Sequence, residues 1–75
     1  MTHLHPQTYK MLRLIVQHGE VAFTNTHANR QRANDLLARH LARTWNDEPV
    51  QGTGPSFTLL PTPAGHNFIG RSTIS

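Results

Sequence analysis

The chain contains no cysteine. Disulfide staples and thiolate-liganded zinc are therefore excluded, and cysteine usage says nothing about the redox compartment. Negative charge is scarce: Glu20, Asp35, Asp47 and Glu48 are the four acidic residues. There is no HExxH pattern, no paired-carboxylate motif and no nucleophile–base spacing. Little remains from which to assemble an active site, so the expectation is a protein that is not an enzyme and takes no cofactor. No apolar run approaches the roughly 20 residues that a membrane helix needs. The opening segment MTHLHPQTYK lacks the uninterrupted apolar stretch of a signal peptide, which leads to the expectation of a cytoplasmic protein with no membrane partner.

What is present fits one small domain. Seventy-five residues allow a single folding unit spanning 1–75, with a core from about 6 to 69 and fraying ends. Tyr9, Leu12, Ile15, Val16, Phe23, Leu36, Leu37, Leu41, Phe57, Leu59 and Phe68 are the candidate core. The net charge is +3, and it is unevenly spread. Residues 1–45 carry Lys10, Arg13, Arg30, Arg32, Arg39 and Arg43 against Glu20 and Asp35. Residues 46–75 carry Arg71 against Asp47 and Glu48. Positive charge on the first part favours an acidic or polyanionic partner there.

The hydrophobic pattern reads as α+β and mostly helical. Pro6 suits a first helical turn and Gly19 a helix stop, so a helix is expected from about Pro6 to His18. EVAFT (20–24) alternates and is expected to be a strand fragment or an extended connector. The segment TNTHANRQRANDLLARHLARTW (24–45) is the clearest helix, expected over about 26–43 and capped by Thr24, Asn25 or Thr26. Ala33, Leu36, Leu37 and Leu41 fall on one side of its wheel. Arg32, Arg39 and Arg43 fall on another, at spacings of seven and four. The Pro- and Gly-containing stretch 44–56 reads as a loop. SFTLL (56–60) reads as a strand, with Trp45 and Val50 as candidates for its antiparallel partner. A short closing helix is expected from Pro63 to Phe68 or Ile69, followed by a fraying GRSTIS tail.

Two stretches resemble a winged-helix domain. ANDLLARHLART is similar to the end of a winged-helix recognition helix running into a "leucine, arginine, glycine, leucine, valine" ending, with His40 where that glycine would stand. FTLLPTPAGHNFI is similar to the last wing strand and the "leucine, threonine, proline, alanine, glycine" turn of MarR-like regulators. Here Pro61 intervenes between Leu60 and Thr62. The resemblance covers about Thr8 to Ile69. It implies a minimal winged helix with two or three helices plus a small antiparallel β-hairpin wing. The chain departs from the pattern in two respects. A winged helix has two helices between its first helix and its wing, whereas the roughly 25 residues between Gly19 and Trp45 hold one convincing helix. The loop 46–55 carries Asp47 and Glu48 but no Lys or Arg, whereas a phosphate-gripping wing is usually basic.

The resemblance and the basic helix together point to a small DNA-binding transcriptional regulator, of the phage or mobile-element kind and able to homodimerise, that meets double-stranded DNA with the helix at about 26–43. Asn29, Arg30, Gln31 and Arg32 have the chemistry for base edges. Thr26, with Thr24, Asn25 and His27, suits phosphate at a helix N-terminus, and Lys10, Arg13, Arg39 and Arg43 suit further phosphates. A solvated helix face with weak pairs from Asp35 to Arg32 and Arg39 would look the same in sequence. The alternative is a protein–protein interaction module, such as a small phage inhibitor of a host complex (RNA polymerase or a defence system), with Trp45, Asp47 and Glu48 at the contact. Six histidines invite a metal, but the HxH pair His3 and His5 has no companions in sequence, so no metal site is expected. His40 falls between Leu36 and Leu37 on the wheel and is expected to be partly buried.

Overall fold

The structure, a computed structural model, describes residues 4–45, 50, 52 and 54–73, with side chains described as far as residue 70. Its order is α1 (Pro6–His18), β1 (Val21–Thr24), α2 (His27–Ala38), β2 (Ala42–Arg43), β3 (Ser56–Pro61) and α3 (Pro63–Thr73). The helices cover one side of an antiparallel sheet of order β1-β3-β2. This is an α+β, minimal winged-helix-like layout, and β2 and β3 form its hairpin.

Local chemistry sets both ends of α1. Pro6 fills the first turn, and the His5 imidazole caps the helix by accepting the Gln7 N–H at 3.2 Å. Gly19 closes it at φ 80, a left-handed conformation that favours glycine, with its N–H 2.7 Å from the Ile15 carbonyl. Thr8, Met11, Leu12 and Ile15 are buried along one stripe, while Lys10, Arg13 and Gln17 face outward.

Strand β1 is more than a connector. It pairs with β3 at Val21–Leu59, Ala22–Thr58, Phe23–Phe57 and Thr24–Ser56. Its alternation puts Val21 and Phe23 inward and leaves Ala22 and Thr24 exposed. Phe23 and Phe57 oppose each other directly, with ring centroids 6.0 Å apart.

The expected helix over 26–43 is shorter than its pattern. Thr26 is the N-cap, its hydroxyl accepting the Asn29 N–H at 3.1 Å, and the helix ends at Ala38. His40 adopts φ 60. The Leu41 N–H returns to the Leu36 carbonyl at 3.0 Å, and the His40 N–H to that of Leu37 at 3.1 Å. This is the two-bond ending that normally uses glycine at the left-handed position. Histidine occupies it here, so the stop signal was absent from the residue types. As a result His40 is exposed rather than partly buried, and Leu41 reaches the core through the turn rather than along the helix face.

The chain then re-enters the sheet as β2, pairing Ala42 with Pro61 and Arg43 with Leu60. Trp45 and Val50 are therefore not the strand partners of SFTLL. The αL turn at His40 brings the chain beside β3 earlier, and Pro61 has no N–H with which to extend the ladder. Trp45 lies beyond the strand and is 55% exposed.

Thr62 joins the two ends of this arrangement. Its hydroxyl donates to the His40 carbonyl at 2.6 Å and accepts the Gly65 N–H at 3.0 Å, capping α3. Replacing Thr62 with valine keeps the shape and removes both bonds. A loss of about 2 kcal/mol in urea unfolding is expected, while serine should stay within about 0.5 kcal/mol of the wild type. Helix α3 continues to Thr73, past the expected end at Phe68 or Ile69 and through part of the tail expected to fray. Ile69, 7% exposed, holds its second turn in the core, and Phe68 meets Tyr9 at 6.4 Å.

Every candidate core residue is buried or packed against the buried cluster; Met11, Ala33, Ala42 and Ile69 complete it.

Candidate nucleic-acid interface

The basic stripe expected on one helix is divided in the fold. Arg43 sits on β2 and is exposed, whereas Arg32 and Arg39 lie on α2 and at its C-cap. Lys10 and Arg13 are exposed on the outward side of α1.

The residues expected to meet DNA at the start of α2 are drawn into a local network. Asn29 donates through its amide to the Thr24 carbonyl at 2.9 Å and accepts Arg32 Nη1 at 3.3 Å. Arg30 Nη1 donates to Asn25 Oδ1 at 2.8 Å and to the Asn25 carbonyl at 3.3 Å. Asn25 in turn donates its side-chain amide to the Gly54 carbonyl at 3.0 Å and its N–H to that of Pro55 at 3.1 Å. Arg30 also lies beside Gly52 in the hairpin loop. Asn25 and Arg30 thus clasp the returning end of the hairpin to the first turn of α2. Arg39 pairs with Asp35 at 2.9 Å, one helical turn away. Both groups are partly solvated, so the pair orients Arg39 more than it stabilises the helix.

The surface of α2 that points away from the core consists of His27, Ala28, Gln31, Asn34 and Ala38, all exposed. These side chains are uncharged and either short or hydrogen-bonding. Arg30 and Arg32, the sequence neighbours of Gln31, project about 100° to either side of it. The helix therefore presents a neutral polar ridge between arginine-bearing flanks. Gln31 was expected on this surface. Asn34 and His27 join it there because both lie opposite Ala33 and Leu36 on the wheel.

Two residues, Asn25 and Thr26, separate β1 from α2. No helix precedes α2 in the manner of a complete helix-turn-helix, and the capped turn at Thr26 takes its place.

The alternative contact surface is described in part. Trp45 is exposed, with its indole N–H donating to Glu20 Oε1 at 3.0 Å. Asp47 and Glu48 lie outside the described residues. A cleft of about 290 Å³ between α1 and α2 is lined by His5, Thr8, Ala28, Gln31 and Arg32. Among the described residues no three His, Asp or Glu side chains converge as metal ligands, and no helix is long and apolar enough to cross a membrane.

No protein-family model, curated protein or solved structure significantly matches the chain.

Proposed function

We propose that this domain binds double-stranded DNA in the cytoplasm, with α2 in the major groove, and that it acts as a small transcriptional regulator of the phage or mobile-element kind, working as a homodimer. The observation that supports this reading is the uncharged ridge of α2 between its arginine flanks. In a major groove the ridge meets base edges while the flanks meet the two phosphate rows. Amide side chains such as Gln31 and Asn34 pair with adenine, and Ala28 and Ala38 suit the thymine methyl. Lys10, Arg13, Arg39 and Arg43 supply phosphate contacts away from the ridge.

The test is a titration against labelled mixed-sequence duplex. Binding in the micromolar range at about 0.05 M salt is expected, weakening about 100-fold by 0.2 M if four phosphates are engaged. Arg43→Ala and Lys10→Ala should each lower the salt slope by about one. Absence of binding at low salt would overturn the proposal.

A second reading has its own support in Trp45. An exposed indole held by Glu20, on a fold in which β1 rather than a second helix leads into α2, suits a protein-binding module such as a phage inhibitor of a host complex. Under that reading Trp45→Ala abolishes partner capture and the Lys10 and Arg43 changes do not.

A further inference from the structure

We infer that the cleft between α1 and α2 is a binding site for an oxyanion, a carboxylate or phosphate carried on a small body. Its volume, about 290 Å³, lies at the small end for ligand sites. It would hold a one-ring acid rather than a dinucleotide.

The lining determines the chemistry. Arg32 brings a partly buried guanidinium to the cleft, and its Nη1 bond to Asn29 is a 3.3 Å contact with a neutral amide. Among the described residues no carboxylate pairs with Arg32, in contrast to Arg39 with Asp35. His5 accepts the Gln7 N–H through Nδ1, which leaves Nε2–H as its donor toward the cleft. Gln31 adds amide donors and Thr8 a hydroxyl, and Ala28 leaves room. Among the described residues the lining holds donors and the Arg32 guanidinium but no acidic side chain. A fork of guanidinium N–H groups with a second donor nearby matches the two oxygens of a carboxylate or phosphate.

Such an oxyanion could come from a free organic acid or from the backbone of duplex DNA. The free-acid arm stands independently of the proposed DNA reading, and the duplex arm rests on it.

The experiment is an amide and guanidinium NMR titration of the full chain with benzoate, phenyl phosphate and the neutral isostere benzamide, and separately with mixed duplex. Saturable shifts at Thr8, Ala28, Gln31 and the Arg32 Nε–H are expected with both anions and not with benzamide. Arg32→Gln should weaken anion binding by at least about tenfold. His5→Asn, which retains a good helix cap, should weaken it less while the spectrum stays folded. Shifts at these positions with duplex alone, lost in Arg32→Gln, would assign the anion to the DNA backbone. No saturable shift from either acid or the duplex, or equal shifts from benzoate and benzamide, would overturn the proposal.

Discussion

Gly65→Ala is expected to lower the stability of the domain by about 3 kcal/mol, a drop of about 12–24 °C in Tm. A Cβ built at Gly65 runs into the carbonyl oxygen of Leu41 and lies 3.3 Å from Leu12 Cδ1. The obstacle is largely backbone, so no side-chain rotation relieves it. Either α3 lifts off or the turn after α2 shifts. The same carbonyl accepts the Thr62 N–H at 3.4 Å, and the neighbouring His40 carbonyl accepts the Thr62 hydroxyl. Displacing the turn therefore loosens the cap of α3 as well. Alanine's better helix propensity offsets about 1 kcal/mol and does not change the sign. Gly70→Ala is the control on the same helix. A Cβ there meets nothing within 4 Å, so only the propensity gain remains and Tm should rise by about 4 °C. Thermal melts of the two variants side by side decide the point. Equal behaviour would refute the close approach of α3 to Leu41.

Leu36→Ala is expected to cost about 3–5 kcal/mol. Leu36 is fully buried on the inner side of α2, and its carbonyl receives the Leu41 N–H that ends the helix. Truncation opens a cavity beneath the proposed reading helix and removes an apolar partner from the turn that aims β2. A domain of this size holds only about 4–11 kcal/mol in total, so the variant should be partly unfolded at 37 °C in circular dichroism. Two residues earlier, Asn34→Ala should leave the melt within about 0.5 kcal/mol of the wild type, because the side chain is exposed. Under the DNA-reading proposal it should still reduce specific binding by about tenfold or more. The pair separates loss of the helix's seat from loss of its reading surface. If Asn34→Ala binds an identified operator as tightly as the wild type, the ridge is not the reading surface.

Where a single residue type dictates the local conformation, the sequence was sufficient. Pro6 and Gly19 delimit α1, and Thr62 followed by Pro63 starts α3, whereas the cap of α2, open in sequence among Thr24, Asn25 and Thr26, is settled as Thr26 only in the fold. The apolar periodicity likewise identified Leu12, Ile15, Leu36 and Leu59, which are fully buried, because burial of large aliphatic side chains is the main driving force available to so short a chain. Tertiary structure decided the rest. The end of α2 depends on a histidine in a conformation that its residue type does not announce, accepted because Leu41 gains the core and Thr62 binds the His40 carbonyl. Strand β1 exists because β3 supplies its partners, and α3 outlasts its propensity because Ile69 finds the core. The Asp35–Arg39 pair was legible in the helical spacing, but the partners of Arg30 were not. Arg30 faces Asn25 only once the hairpin has returned past Gly54 and Pro55 to fix that amide. That amide is held by the distant Gly54 carbonyl, which the fold brings to about 3 Å, and spacing along one helix cannot encode such a partner.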